Sequence, residues 1–258
     1  MKKIVTTLTA LVLTIAAAGQ MLKITAGGTT YTYPARLLTT ASAATFSGGT
    51  TMTVGADVFA LSDIDEIEVI STSSNDVDSN TVRIAYDGST ATVTAADNVA
   101  QYVSATVSGA HVTIAQSNTQ AIDGDEITYV LSGSTTDGSL TLGGSYKCTL
   151  SLAGLSLTNP NGAAINITNS KRIQVSAKKG TVNTLADGTG SQKACIYSKG
   201  QLQLQGNGTL NVVGNTKHGI KSASYITIKN LTLNITSAVG DGINCEEYFQ
   251  MKSGTVTI

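Results

Sequence analysis

Lys217, His218 and Lys221 crowd into five positions, and Asp241 follows His218 at the same interval at which Asn244 follows Lys221. Cations so arranged grip carboxylates, lysine as a point charge and histidine as a donor once protonated, which is the chemistry of holding a uronate polymer. The same spacing lets His218 simply pair with Asp241, and that structural use competes with the first. Two further pairs recur at that interval: Tyr225 with Tyr248, and Lys229 with Lys252. Stacked rings offer apolar area with a polar tip to a sugar face, or they pack only on one another. Stacked lysines about 5 Å apart repel by roughly 0.8 kcal/mol in water, so they splay into solvent or share an anion. Asp187 and Asp241, with Glu246 and Glu247 near the second, are the best oxygen donors for a metal in this half of the chain. Carboxylates beside glycine also form turns by bonding the backbone two residues on.

The elements that position these residues repeat with them. Leu210, Leu233 and Val256 stand 23 apart, as do Val212, Ile235 and Ile258, and then Ile220 and Ile243. Within each copy the apolar residues alternate, as in Leu202 and Leu204 or Ile226 and Ile228, and a period of two means strand. Three short strands per turn of about 23 residues, joined by Gly- and Asn-containing corners, predict an all-β chain wound as a right-handed parallel β-helix. One turn cannot bury its apolar side alone, so turns are stable only as a stack. Outward side chains one repeat apart then form ladders with a rise of about 4.8 Å.

The chain opens Met1-Lys2-Lys3 and runs apolar to Ala18, which reads as a secretory signal peptide over residues 1–19, not a membrane anchor. No transmembrane segment is expected once it is removed, and the expected destination is the periplasm, the cell surface or the medium. Tryptophan is absent, and Thr, Ser, Gly, Asn and Val suit strands and tight corners. Cys148, Cys195 and Cys245 show no C-x-x-C spacing, so buried, inert thiols are expected; Cys245 continues a ladder begun by Ser198 and Ser222. Charge is unevenly placed. Residues 143–258 hold eleven Lys or Arg against four acids, and residues 20–142 hold three against thirteen. Such asymmetry would attract any polyanion, but export argues against nucleic acid as the partner.

Residues 20–75 read as a small β-meander module with strands at Met21–Thr25, Thr29–Tyr33, Thr51–Val54 and Ile67–Ile70, and residues 71–80 read as a linker. From Thr81 the strands resume at uneven spacing, as expected where atypical turns cover the end of a solenoid. Ile165 and Ile196 stand 31 apart where the regular interval is 23 or 24, which predicts a loop thrown out over Ala177–Lys193. The sequence stops in mid-turn at Ile258, which suggests a helix truncated at its C-terminus.

Residues 81–258 carry a set of segments in characteristic order: Tyr129-Val130-Leu131-Ser132-Gly133, Gly162-Ala163-Ala164-Ile165, the run from Gly180 to Gly188, Gly206-Asn207-Gly208-Thr209-Leu210-Asn211-Val212, His218-Gly219-Ile220 and Gly240-Asp241-Gly242-Ile243. In these the chain resembles a family of secreted bacterial carbohydrate-binding proteins with a right-handed parallel β-helix fold. The resemblance implies binding of cellulose-like and acidic polymers such as pectate, calcium held on the coil, and no catalysis. The family's Asp-Gly-Ile corner is kept at Asp241-Gly242-Ile243 but reads His218-Gly219-Ile220 one turn earlier, after Lys217. Nitrogen there replaces oxygen, and calcium needs six to eight oxygens, which counts against a calcium ion in this chain.

The expected protein is therefore a monomeric, non-catalytic binder whose basic lateral face holds an acidic polysaccharide through Lys217, His218, Lys221, Tyr225, Lys229, Tyr248 and Lys252. A polysaccharide lyase acting on uronates is the main competitor. It requires a base beside a cationic cluster, which Arg172 with Lys217 or Lys221 would have to supply. A hydrolase would need paired carboxylates at stack spacing, and none repeats. A third possibility is an adhesin or structural rod that merely presents surface.

Overall fold

The computed structural model describes residues 20–34, 44–71, 77–236 and 238–258. The expected signal segment and residues 72–76 of the expected linker lie outside the described residues. From residue 110 onward the chain is a parallel β-helix with three faces. Face A stacks Ala110–Gln116, Gly138–Gly144, Ile165–Ile167, Ala194–Ser198, His218–Ser222 and Ile243–Cys245, each parallel to the next. Face B stacks Thr81–Asp87, the first parts of Ile127–Thr135 and Cys148–Asn159, then Ile173–Ala177, Leu202–Gln205, Ile226–Lys229 and Phe249–Met251. Face C stacks the last parts of the two long strands, then Val182–Asp187, Thr209–Val213, Leu231–Thr236 and Gly254–Thr257.

The register follows the sequence repeat: Leu210 pairs with Leu233 and Leu233 with Val256, while Ile220 pairs with Ile243. Alternation points Leu202, Leu204, Leu210, Val212 and Ile220 inward, where all are buried in one continuous core. Each such side chain contributes about 1.5–3 kcal/mol relative to exposure. Corners between faces B and C turn on a left-handed residue, Gly206 (φ 110°) in one turn and Asn230 (φ 55°) in the next. At Gly206 a Cβ would overlap the Ala177 carbonyl oxygen of the turn before, so this corner admits only glycine.

Val182–Asp187 corrects the expectation of a loop over Ala177–Lys193. The stretch is a strand of face C, pairing with Ser156–Asn159 on one side and Thr209–Val213 on the other. Relative to the following turn its surplus is shared among the three corners. The reason is packing, since Leu185 enters the core and Asn183 is buried with its amide fully used. Asn183 Oδ1 accepts from the Gly154 and Leu155 N–H groups, and its Nδ2 faces Thr181 Oγ1 and the Thr209 carbonyl.

The N-terminal strands are antiparallel. Thr29–Pro34 pairs with Gln20–Ala26, which pairs in turn with Ile64–Ser71. Thr29–Pro34 also pairs with Val103–Ser108, and that strand pairs with Ala110–Gln116, so the sheet runs on into face A. Ala44–Ser47, Thr51–Val54 and Asp57–Ala60 form a second meander, of which only the middle strand was expected from the sequence. Leu22, Ile24, Tyr33, Met52, Val54, Phe59 and Ile64 form a small core of their own. The open end of the solenoid is closed by the Thr81–Asp87/Thr90–Ala95 hairpin and the helical turn Asp97–Ala100, whose Val99 and Ala100 join the main core.

Candidate functional site

Side chains midway along each face A strand must point outward, and the register lines them up as Thr113, Thr141, Asn166, Tyr197, Lys221 and Asn244. Beside this ladder lie the C-to-A corners of two turns, around Asn161 and Gln192. Between them and the ladder lies a recess of about 380 Å³, lined by Thr141, Asn161, Asn166, Gln192, Lys193 and Tyr197 among others. Lys193 Nζ stands 5.0 Å from the centre of the Tyr197 ring, within range of a cation–π attraction. The walls are braced from behind. Asn159 Nδ2 donates to the Ala163 carbonyl (2.8 Å), and Asn159 Oδ1 accepts from the Asn161 N–H (3.1 Å). Gln192 Nε2 faces Asp187 Oδ2 (2.9 Å), the Gly188 carbonyl (2.6 Å) and Thr216 Oγ1 (3.0 Å), while its Oε1 is buried without a partner.

Lys217, His218 and Lys221 occupy the next turn along. The Asp241 N–H donates to His218 Nδ1 at 3.0 Å, so that lone pair is used and the ring carries its proton on Nε2. Burial pushes the His218 pKa below its ordinary value, against the pull of the Asp241 carboxylate 3.4 Å away. Lys221 donates to Asn244 Oδ1 (2.6 Å) and pairs with Glu246 (3.3 Å), and Asn244 Nδ2 donates to Asp241 Oδ2 (2.7 Å). Lys217 is exposed, with no ion pair among the described residues.

The other expected binders lie elsewhere. Tyr225 and Tyr248 sit at the A-to-B corner with rings stacked at 4.8 Å and 17°, and the Tyr225 hydroxyl donates to Gln201 Oε1 (3.1 Å). Their column begins Glu126, Lys147 and Arg172, where Arg172 pairs with Glu126. Lys229 and Lys252 close face B at its far edge, both exposed. The seven residues therefore spread from the C-to-A corner and face A, through the A-to-B corner, to the far edge of face B, and the single basic flank expected from the sequence is not assembled. A repeat stacks residues that share a phase within the turn; it does not gather residues at different phases.

Asp187 and Asp241 are not brought together either. Asp187 is buried, its carboxylate taken by the Asn215 N–H and Gln192, and among the described residues no group of three or more His, Cys, Asp or Glu side chains converges. Amide N–H donors face these carboxylates where a calcium ion would need more oxygens, so the residues present do not fit that metal. Cys148 and Cys195 are free and buried, and burial raises both thiol pKa values far above the ordinary range, which makes them inert.

Tyr197, Lys193, Asn166 and Gln192 were not among the binding residues expected from the sequence. Tyr197 stands one turn before Lys221, so carrying the ladder back by that turn would have found it. Lys193 reaches it only because the corner is long.

Fold and recess together define a parallel β-helix with a polar, aromatic-walled cleft on one face, the kind of surface that suits a chain of hydroxyls. The profile of the carbohydrate-binding domain-containing protein family matches residues 108–258, and the chain belongs to that family. It is similar to a carbohydrate-binding domain-containing protein of Acetivibrio thermocellus, 29% identical over 111 residues, which cover 39% of each chain. The match thus spans well under half the length of that relative. Among solved structures it is similar to a polysaccharide lyase-like protein from C. thermocellum, at a TM-score of 0.51 and 24% identity, covering 68% of this chain and 81% of that one. That likeness shows the fold.

Proposed function

We propose that the chain is an exported, monomeric, non-catalytic protein that binds polysaccharide along face A and favours carboxylated glycans. The observation that carries this reading is the recess itself, where Lys193 lies over the Tyr197 ring and amide and hydroxyl side chains share the remaining walls with Gly162 and Ala163. A ring offers its face to the apolar side of a pyranose, Asn and Thr side chains meet its hydroxyls, and the lysine offers charge to a carboxylate. Among the described residues Lys193 is the one charged side chain lining the recess, and Lys217 stands exposed on the neighbouring turn. Family membership supports a carbohydrate ligand.

The competing reading is a lyase, since the structural neighbour is a polysaccharide lyase-like protein. Abstraction of a sugar C–H proton needs a base with a free lone pair. His218 has spent its Nδ1 lone pair on the Asp241 N–H, Lys221 is held by Asn244 and Glu246, and Arg172, the cation that a base at Lys217 would need beside it, is paired with Glu126 at the A-to-B corner. This arrangement favours holding a polymer over cleaving it.

Affinity electrophoresis tests the reading. Retardation in polygalacturonate gels is expected, falling as salt rises and weakening about tenfold in Lys193→Ala. Equal retardation in neutral glucan gels and at high salt would contradict the acidic preference, and no retardation in any gel would contradict binding. Ultraviolet absorbance of unsaturated product is expected to stay flat with every uronate polymer tried.

A further inference from the structure

We propose a second, separate subsite for an uncharged pyranose residue at the capped end of the solenoid. It lies between the helical turn Asp97–Ala100, with the two residues after it, and the A-to-B corner of the first turn. The recess there is about 440 Å³ and is lined by Asn98, Gln101, Tyr102, Asn118, Gln120 and Asp123 among others.

This recess has a built frame. Asn98 Nδ2 donates to Asp123 Oδ2 (2.8 Å), and Asn98 Oδ1 accepts from the Asn80 N–H (3.0 Å). Asn80 Nδ2 donates to the Ile122 carbonyl (2.7 Å), and Ser117 bonds the Tyr102 carbonyl through both its N–H (2.9 Å) and its hydroxyl (3.2 Å). The cap and the corner are thereby tied into one wall.

Asn118 identifies the chemistry. It is only 4% exposed, and its Nδ2 donates to the Gln120 carbonyl (2.8 Å), yet its Oδ1 is buried without a partner. Asn169, just as buried in a later A-to-B corner, uses both ends of its amide, on the Tyr146 carbonyl and the Lys171 N–H. A buried acceptor with no donor costs free energy that an arriving hydroxyl recovers. Side chains rich in amides serve ligands that both donate and accept, and the half-buried Tyr102 supplies a ring at the wall.

Charge selects against the polymer proposed for face A. Among the described residues no Lys or Arg lines this recess, Asp123 stands at its rim, and Asp97 and Asp125 flank it in sequence. A uronate would meet repulsion here, whereas a neutral sugar would not.

Titration of the ¹⁵N-labelled full chain with a neutral β-gluco-oligosaccharide and, in parallel, with tetragalacturonate separates the two sites. The neutral sugar is expected to shift the side-chain amides of Asn118 and Gln120 in a saturable way, and tetragalacturonate to leave them in place. Gln101→Ala with Gln120→Ala is expected to weaken the neutral sugar about tenfold and to leave retention on polygalacturonate unchanged. If these resonances stay still with every neutral sugar, or move only with tetragalacturonate or calcium chloride, the subsite is refuted. Those outcomes are independent of retention on polygalacturonate, so the two proposals fail separately.

Discussion

The N-terminal hairpins, Gln20–Ala26 with Thr29–Pro34 and Ala44–Ser47 with Thr51–Val54 and Asp57–Ala60, turn back and pair antiparallel, whereas from residue 110 onward each new strand is reached by a corner and pairs in parallel with the strand one turn before. In the first case, that of the hairpins, a tight turn fixes the register locally, and side chains across the pair come from neighbouring sequence. In the second, register is set by a repeat, and a side chain's neighbours lie a whole turn away in the chain. The difference decides where a binding surface forms. Tyr197 and Lys221 adjoin on face A only because two turns stack, while the amide-lined recess near Asp123 is assembled where the two regimes meet.

The same substitution should therefore cost different amounts in the two regions. Gly206→Ala drives a Cβ into the Ala177 carbonyl of the turn before, and a loss of at least about 3 kcal/mol is expected from denaturant unfolding. Gly28→Ala, in an antiparallel hairpin at φ +78° with open space around it, should lose only about 1 kcal/mol. Comparable losses at the two sites would undo the contrast. Next in size is Asn183→Ala, which strips the acceptor from the Gly154 and Leu155 N–H groups and should cost about 2–4 kcal/mol. A change under about 0.5 kcal/mol would show that water replaces the amide freely.

A smaller effect is expected with pH. Burial lowers the pKa of His218, so the folded protein binds that proton less readily than the unfolded chain does. Its share of stability is complete above the ordinary histidine pKa of 6.5 and falls as pH drops below that value toward the folded pKa. The midpoint of thermal unfolding should fall on that side of pH 6.5, and His218→Gln should flatten the fall. Smallest of all is Tyr225→Phe. It removes one hydroxyl from Gln201 and should cost about 0.5–1.5 kcal/mol, with no change in retention on polysaccharide.

The stack itself was legible in the sequence because the core of each turn is aliphatic and its period unbroken from Leu202 to Val256. The ladders of Tyr225 with Tyr248 and of Ser198, Ser222 and Cys245 followed from the same arithmetic. What was not legible is the phase of each lysine around the turn. Lys229 and Lys217 are close in sequence, yet a corner and a strand separate them, and they face different sides. Val182–Asp187 was hidden because Asn183 is polar and buried, which breaks the apolar alternation that betrays a strand. Thr51–Val54 alternates buried and half-buried side chains, whereas Thr45–Ser47 are all exposed and Asp57–Ala60 buries only Phe59, so the two flanking strands lack the alternation that betrays one. The recess on face A depends on a long corner bringing Lys193 over Tyr197, and corner conformation leaves no periodic trace.

Two tyrosines on different columns give the most direct test of where polysaccharide is held. Affinity electrophoresis of Tyr197→Ala beside Tyr225→Ala in polygalacturonate should show about a tenfold weaker interaction for the first and an unchanged one for the second. Loss of retention in Tyr225→Ala with Tyr197→Ala intact would move the ligand to the other corner and contradict the assignment of face A.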